Sequence, residues 1–160
     1  MVRRKFHKNR FNSVNYGNIS RLAIVNEKRL IKNNYDFLNC RIVKNKLICT
    51  GVVKPTKQSI IYKFVIAYDG LSSPKVNILE PDIEYNHDIH MFPKDKSLCL
   101  YHSETDNFKW DYQKHNLYNT IIPWTLEWFV YYELYNITGK WEHPYIDHRW
   151  EDVKSIDVDL

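Results

Sequence analysis

The chain is short of the residues that loosen or staple a fold. Only 4 of its 160 residues are glycine and 6 are proline, which is not the composition of a disordered segment. It has three cysteines, Cys40, Cys49 and Cys99, with no C-x-x-C pair among them. That pattern resembles neither a disulfide framework nor a zinc knuckle. No apolar run approaches the length of a bilayer-crossing helix, and the basic start lacks the apolar stretch of a signal peptide. The expectation is a cytoplasmic protein with reduced thiols and no membrane partner. A Gly-rich nucleotide-binding loop, internal repeats and low-complexity tracts are also missing, so no cofactor is expected. His87, Asp88 and His90 are metal-ligating residue types, but no fourth ligand accompanies them, and no metal is expected.

What the chain has is aromatic mass: 12 Tyr, 7 Phe and 5 Trp. With 160 residues that is enough to pack one real core. The formal net charge of +4 is uneven, with Arg3, Arg4, Lys5, Lys8 and Arg10 at one end and Glu151, Asp152, Asp157 and Asp159 at the other. Basic residues that are mostly terminal, and not interleaved with strand aromatics, argue against a nucleic-acid-binding module. The expected organisation is a basic arm over 1–17, one domain over 18–150 and an acidic tail over 151–160.

Periodicity predicts a helix over 18–32, with Ile19, Leu22 and Val25 on one face and Leu30 and Ile31 extending it. Arg21, Glu27, Lys28 and Arg29 read as its polar side, and Asn33-Asn34 as its end. Four extended segments follow, over 37–43, 47–53, 59–68 and 76–79. Lys44-Asn45-Lys46, residues 55–58 and Asp69-Gly70 connect them, and Pro81 closes the last. Short connections imply an antiparallel meander. Cys40 and Cys49 alternate with apolar residues there and read as inert core. Residues 81–120 are irregular yet rich in aromatics, which suits an ordered functional loop. A second helix is capped at Thr120 or a neighbour, carries Pro123 in its first turn, runs over 124–137 and stops at Thr138-Gly139. Trp124, Trp128, Tyr131, Tyr132 and Tyr135 fall at helical spacing, so they read as packing residues and not as a base-stacking set. The fold class is α+β.

Within the long loop, Cys99 follows Pro93-Lys94-Asp95-Lys96-Ser97, with His90 nine residues upstream and His102 three downstream. A thiol attacks as its thiolate, and Lys94 and Lys96 are the kind of cationic neighbours that hold one. The alternative is an ordinary small apolar residue between Leu98 and Leu100.

Helix, four-strand meander, cysteine-bearing loop and helix, in that order, resemble the ubiquitin-conjugating enzyme fold. The closer likeness is to the bacterial branch of these enzymes, found in CBASS antiphage operons beside a cGAS-like nucleotidyltransferase. That branch shares a Leu-Cys-Leu-Tyr segment, a helix opening with Pro-Trp and containing Glu-Trp, and a Thr-Gly-x-Trp ending. This chain has Leu98-Cys99-Leu100-Tyr101, Pro123-Trp124, Glu127-Trp128 and Thr138-Gly139-Lys140-Trp141. The likeness spans roughly residues 18 to 148. It implies that Cys99 accepts the C-terminal carboxyl of a partner, the nucleotidyltransferase, as a thioester and passes it to an amine. An activating enzyme comes from elsewhere, or the chain works without one. His90 and His102 are the supporting candidates, and in the family the histidine matching His90 holds the loop. The family's His-Pro-Asn motif is broken, since Met91 and Phe92 follow His90. Oxyanion support then falls to His90, His102, a loop amide or Asn107. The segment 141–150, with His143, Pro144 and His148, is expected to pack across the fold or near the active loop. Two other readings stand beside transfer: a non-catalytic partner-binding domain of the same fold, and a Cys-His hydrolase.

Overall fold

Asn15 opens the first helix by accepting the N–H of Asn18 on its side chain, 3.3 Å away, which satisfies one of the orphan donors of the first turn. The computed structural model describes residues 15–143. Most of the basic arm, the acidic tail and Pro144, His148 and Trp150 lie outside the described residues.

Helix α1 spans Tyr16–Asn34. It runs through the Asn33-Asn34 pair expected to break it, and the Asn34 side chain donates back to the Leu30 carbonyl at 2.7 Å. The inward face also differs from the expectation. Leu22 and Val25 are exposed, while Ile24, Glu27 and Ile31 are buried. Two tethers set this rotation. Ser20 Oγ donates to the Asp69 carbonyl, and Glu27 Oε2 accepts the Leu117 N–H at 3.0 Å. Residues 20, 24, 27 and 31 form one helical stripe, and that stripe faces the body.

Four strands follow in meander order, β1 (Leu38–Val43), β2 (Lys46–Val53), β3 (Tyr62–Tyr68) and β4 (Lys75–Glu80), all antiparallel. Lys44 and Asn45 both take positive φ, 47° and 60°, the signature of a two-residue hairpin turn matched to strand twist. That turn sets Val43 opposite Lys46 and Cys40 opposite Cys49. The two cysteines are joined as a disulfide with Cα atoms 4.1 Å apart. This corrects the expectation of separate, reduced core thiols: directly facing, non-hydrogen-bonded strand positions are the closest the two backbones come. Gly51 sits in the same pair of strands because a Cβ there would lie 2.6 Å from Leu38 Cδ2 and from Phe64 Cζ.

The residues 62, 64, 66 and 68 of β3 alternate inward, all at 2 % exposure or less. After β4 a cis peptide joins Glu80 and Pro81, and the chain is irregular until a short 3-10 turn over Leu117–Asn119. Helix α2 spans Ile121–Thr138. It ends at Gly139, whose φ of 72° and N–H to Tyr135 (2.7 Å) close the last turn. Phe129, fully buried, lies 4.8 Å from the Tyr62 ring and 5.6 Å from the Phe64 ring. Burying one such ring is worth roughly 1.5–3 kcal/mol, and Tyr62 adds a hydrogen bond to Glu133 at 2.6 Å. The helix is thereby fixed across the sheet's inner face.

Candidate functional site

The loop bearing Cys99 is clipped to the edge strand of the sheet. Leu98 donates its N–H to the Val76 carbonyl at 2.8 Å, and the Asn77 side chain donates to the Asp95 carbonyl at 2.9 Å. Between them the chain folds on itself: Phe92 N–H meets Ser97 O at 2.8 Å, and Met91 bridges to Leu98. Asp95 holds the tip. Its Oδ1 accepts both the amide and the hydroxyl of Ser97 (3.0 and 2.6 Å), and its Oδ2 meets Lys75 Nζ at 2.5 Å.

This hairpin-like fold brings His90 and Cys99 together. The Cys99 N–H donates to the His90 carbonyl at 3.0 Å, and His90 Nδ1 lies 2.8 Å from the Cys99 carbonyl oxygen. A carbonyl only accepts, so Nδ1 is the protonated nitrogen and cannot take the thiol proton. The same His90 carbonyl also accepts the Trp128 indole N–H at 2.9 Å, which ties the loop to α2. The Cys99 backbone is therefore held from both flanks.

Cys99 Sγ donates to the Tyr101 carbonyl at 3.5 Å, and the residue is 1 % exposed. It faces a void of about 20 Å³ bounded by His90, Glu127, Tyr131, Trp141 and His143. Beyond Gly139 the chain turns back and lays Trp141 over the loop. Its ring stacks on His90 (centroids 5.9 Å, 19° between planes) and packs against Trp128 and Tyr131 at 5.8 and 6.1 Å. His143 follows, 4.8 Å from the Tyr131 ring. The expectation that this segment lies near the active loop is met for Trp141 and His143.

The opposite side of the same segment is different. Phe92, Lys94, Leu98, Leu100, Tyr101 and His102 line a cavity of about 490 Å³. His102 belongs to that side: its Nδ1 accepts the Glu104 N–H at 3.3 Å, and its own amide meets Asp106 at 2.6 Å. It lines the large cavity and not the thiol's void. Lys94 is there as well, and Lys96 pairs with Asp82 and Glu84 at 3.4 and 3.3 Å. The expected cationic, partly exposed setting for Cys99 is thus corrected to a buried, aromatic one. The cause is the hairpin-like fold, which turns its lysines outward and the thiol toward α2. Asn107 is further off, in a surface depression with Lys109, Trp110 and His115. His87 pairs with Asp88 at 3.1 Å, and among the described residues no group of three His, Cys, Asp or Glu is placed to hold a metal ion.

Glu127 and Tyr131 were not singled out as neighbours of the thiol from the sequence. The signal was available: 124, 127, 128 and 131 follow the i, i+3, i+4, i+7 spacing of one helix face, and Trp128 already belonged to the motif. Among the described residues no helix is long and apolar enough to cross a membrane. No curated protein matches the chain. The family model for the Type II CBASS E2 protein matches residues 27–149, most of the chain and the whole of the Cys99 site, and the chain belongs to that family.

Proposed function

We propose that this chain carries its E2-like role in CBASS antiphage defence through a thioester at Cys99. The element order of helix, four-strand meander, long loop and helix supports a ubiquitin-conjugating-type fold. The observation that carries the reading is the two-sided grip on the Cys99 backbone by His90 and, through it, by Trp128 of α2. A nucleophile held to a fixed position lowers the entropic part of an acyl-transfer barrier.

The steps follow from thiol chemistry. A separate activating enzyme supplies the C-terminal carboxyl of the cGAS-like nucleotidyltransferase as a mixed acyl-phosphate anhydride. The Cys99 thiolate attacks its carbonyl carbon, the C–S bond forms, and the phosphate group leaves with the electron pair of the broken C–O bond. The thiol proton passes to solvent. An amine then attacks the thioester carbonyl. The tetrahedral intermediate collapses, an amide forms, the thiolate leaves, and the amine loses one proton. No proton is routed through His90 or His102 in this scheme: His90 Nδ1 holds the Cys99 carbonyl, and His102 lines the other cavity. Cys99 is 1 % exposed, so the wall of its void must open to admit the acyl group.

That burial also favours a second reading, a domain that docks its partner with Cys99 as a packed residue. One experiment separates the two. The chain is co-expressed with the nucleotidyltransferase of its operon and the activating enzyme, and run on a non-reducing gel. A thiol-labile adduct in the wild type, converted to a hydroxide-labile ester in Cys99→Ser, is the expected result. An adduct that persists in Cys99→Ala sinks the thioester; co-purification with no adduct establishes the docking domain. A hydrolase would instead shorten the partner.

A further inference from the structure

The ubiquitin-conjugating resemblance leaves one chemical need unfilled. An acyl transfer builds negative charge on the carbonyl oxygen, and a donor must already be waiting for it. Met91 and Phe92 stand where the ubiquitin-conjugating enzymes have Pro-Asn, whose asparagine the bacterial branch generally lacks. The sequence candidates are poorly placed for the task. His90 gives its Nδ1 proton to the Cys99 carbonyl, and Asn107 and His102 lie outside the void that Cys99 faces. The amide of Cys99 is spent on His90, and that of Leu98 on Val76.

Trp141, one of the residues lining the void, carries a donor that is not spent. Trp141 is 8 % exposed, and its indole Nε1 is buried with no hydrogen-bond partner. Burying an N–H without an acceptor costs on the order of 1–3 kcal/mol, so each such group calls for an explanation. Trp141 lines, together with Cys99, a void of about 20 Å³. Roughly 10–15 Å³ of such space holds one water-sized group, so this space fits a single oxygen atom. An indole nitrogen can only donate, and it carries no charge that would compete with the thiolate for a proton.

The geometry points to the Trp141 indole N–H as the hydrogen-bond donor to the acyl oxygen at Cys99. The inference rests on the acyl-transfer reading and names the donor that reading lacks. When Cys99 attacks a carbonyl, the C–S bond forms and the C=O π pair moves onto oxygen, to which the Trp141 N–H donates a hydrogen bond. The pair returns as the leaving group departs with its own electrons. Trp141 also keeps its ring stacked on His90, so the donor and the backbone grip on Cys99 belong to one packed unit.

The test uses the full chain and a small acyl probe, p-nitrophenyl acetate. The Cys99 thiolate displaces p-nitrophenolate, and peptide mapping locates the acetyl group. Iodoacetamide alkylation is measured alongside, because that displacement passes through no oxyanion. Trp141→Phe keeps a ring on His90 and removes the N–H. The expected result is a fall of at least about 10-fold in acylation of Cys99, toward the ~10²–10³ loss seen when one oxyanion donor is removed, with alkylation within about 2-fold of wild type. Equal changes in both rates would make Trp141 a mere cover and overturn the proposal, as would an unchanged acylation rate or a wild-type Cys99 that takes no acetyl group. If Trp141→Phe fails to fold, β-(3-benzothienyl)alanine at 141, with sulfur in place of the N–H, gives the same comparison at constant shape. The outcome is separable from the partner assay: no adduct with the nucleotidyltransferase beside a large acylation ratio sinks the partner thioester and leaves the donor assignment standing. An adduct beside an unchanged ratio does the reverse.

Discussion

The two sides of the Cys99 segment are built on opposite terms. One opens on a cavity of about 490 Å³, with Lys94, Tyr101 and His102 in its wall. The other closes on about 20 Å³ beneath Trp141, Trp128 and Tyr131, and it is the side that holds the thiol. The larger hollow is therefore not where the Cys99 thiol lies. Its polar ties are exposed or half-buried, such as Tyr101 Oη to Ser73 Oγ and Asp95 to Lys75. The closed side is held by a buried indole-to-carbonyl bond and stacked rings. Geometry that must not drift sits where packing fixes it; the face open to solvent is left for contacts that come and go.

The comparison breaks most visibly at Trp128. Its indole is 3 % exposed, donates to the His90 carbonyl and stacks on Tyr132 at 5.1 Å. Trp128→Ala is expected to cost ~3–5 kcal/mol in urea unfolding, the usual range for emptying a buried aromatic site. Tyr101→Phe on the open side removes one half-buried hydroxyl and is expected to cost less than ~1 kcal/mol. Losses of similar size would erase the distinction between the two sides.

Next in size is a buried carboxyl on α1. Glu27 is 3 % exposed and accepts the Leu117 N–H just before α2 begins. Burial raises its pKa from an ordinary 4.5 to about 7, and the Leu117 amide offsets only part of that. A raised acid binds its proton more tightly in the folded state, so stability is greatest at low pH. It falls as pH rises from about 4.5 through 7. Glu27→Gln keeps an acceptor for Leu117 and cannot ionise. It should remove this slope and gain on the order of 2–3 kcal/mol over wild type at pH 8. Denaturant melts at pH 5 and pH 8 decide it: a wild type equally stable at both, or a Gln variant weaker at pH 8, rules the account out.

Legibility in the sequence divides along similar lines. Helix α2 was readable because its signals are local: Pro123 in the first turn, Gly139 at the end and no breaker between. The meander was readable from alternation and turns. Its register was not: with Lys44-Asn45-Lys46 taken as the connection, the two-residue turn at Lys44-Asn45 that sets Cys40 opposite Cys49 was missed, and the disulfide with it. Nor was the inward face of α1 readable. Leu22 and Val25 make as good an apolar stripe as Ile24 and Ile31, and the choice falls to tethers from Asp69 and Leu117. These are far away in the chain. The site shows the same split. Cys99 and the Trp128 helix came from motifs, whereas the exchange of bonds between 90 and 99 and the direction the thiol faces depend on the long loop's path. No periodicity encodes that path.

The smallest expected effect has the opposite sign and belongs to the open side. Burial pushes the Asp95 carboxyl up, but Lys75 and two bonds from Ser97 outweigh it and hold the group at about 2. A depressed acid stabilises the fold above its ordinary pKa, and the contribution is lost as pH falls from about 4 toward 2. Its side chain is 36 % exposed, so solvent screening cuts the gain to about 1 kcal/mol or less. Asp95→Asn should lower the melting temperature slightly at pH 7 and converge on wild type near pH 2. Added salt should shrink the pH 7 difference, because the Lys75 pair is exposed. A deficit that persists undiminished at low pH would show that Asp95 acts by shaping the 93–97 turn and not by its charge. Glu27 and Asp95 would then differ in kind as well as in sign.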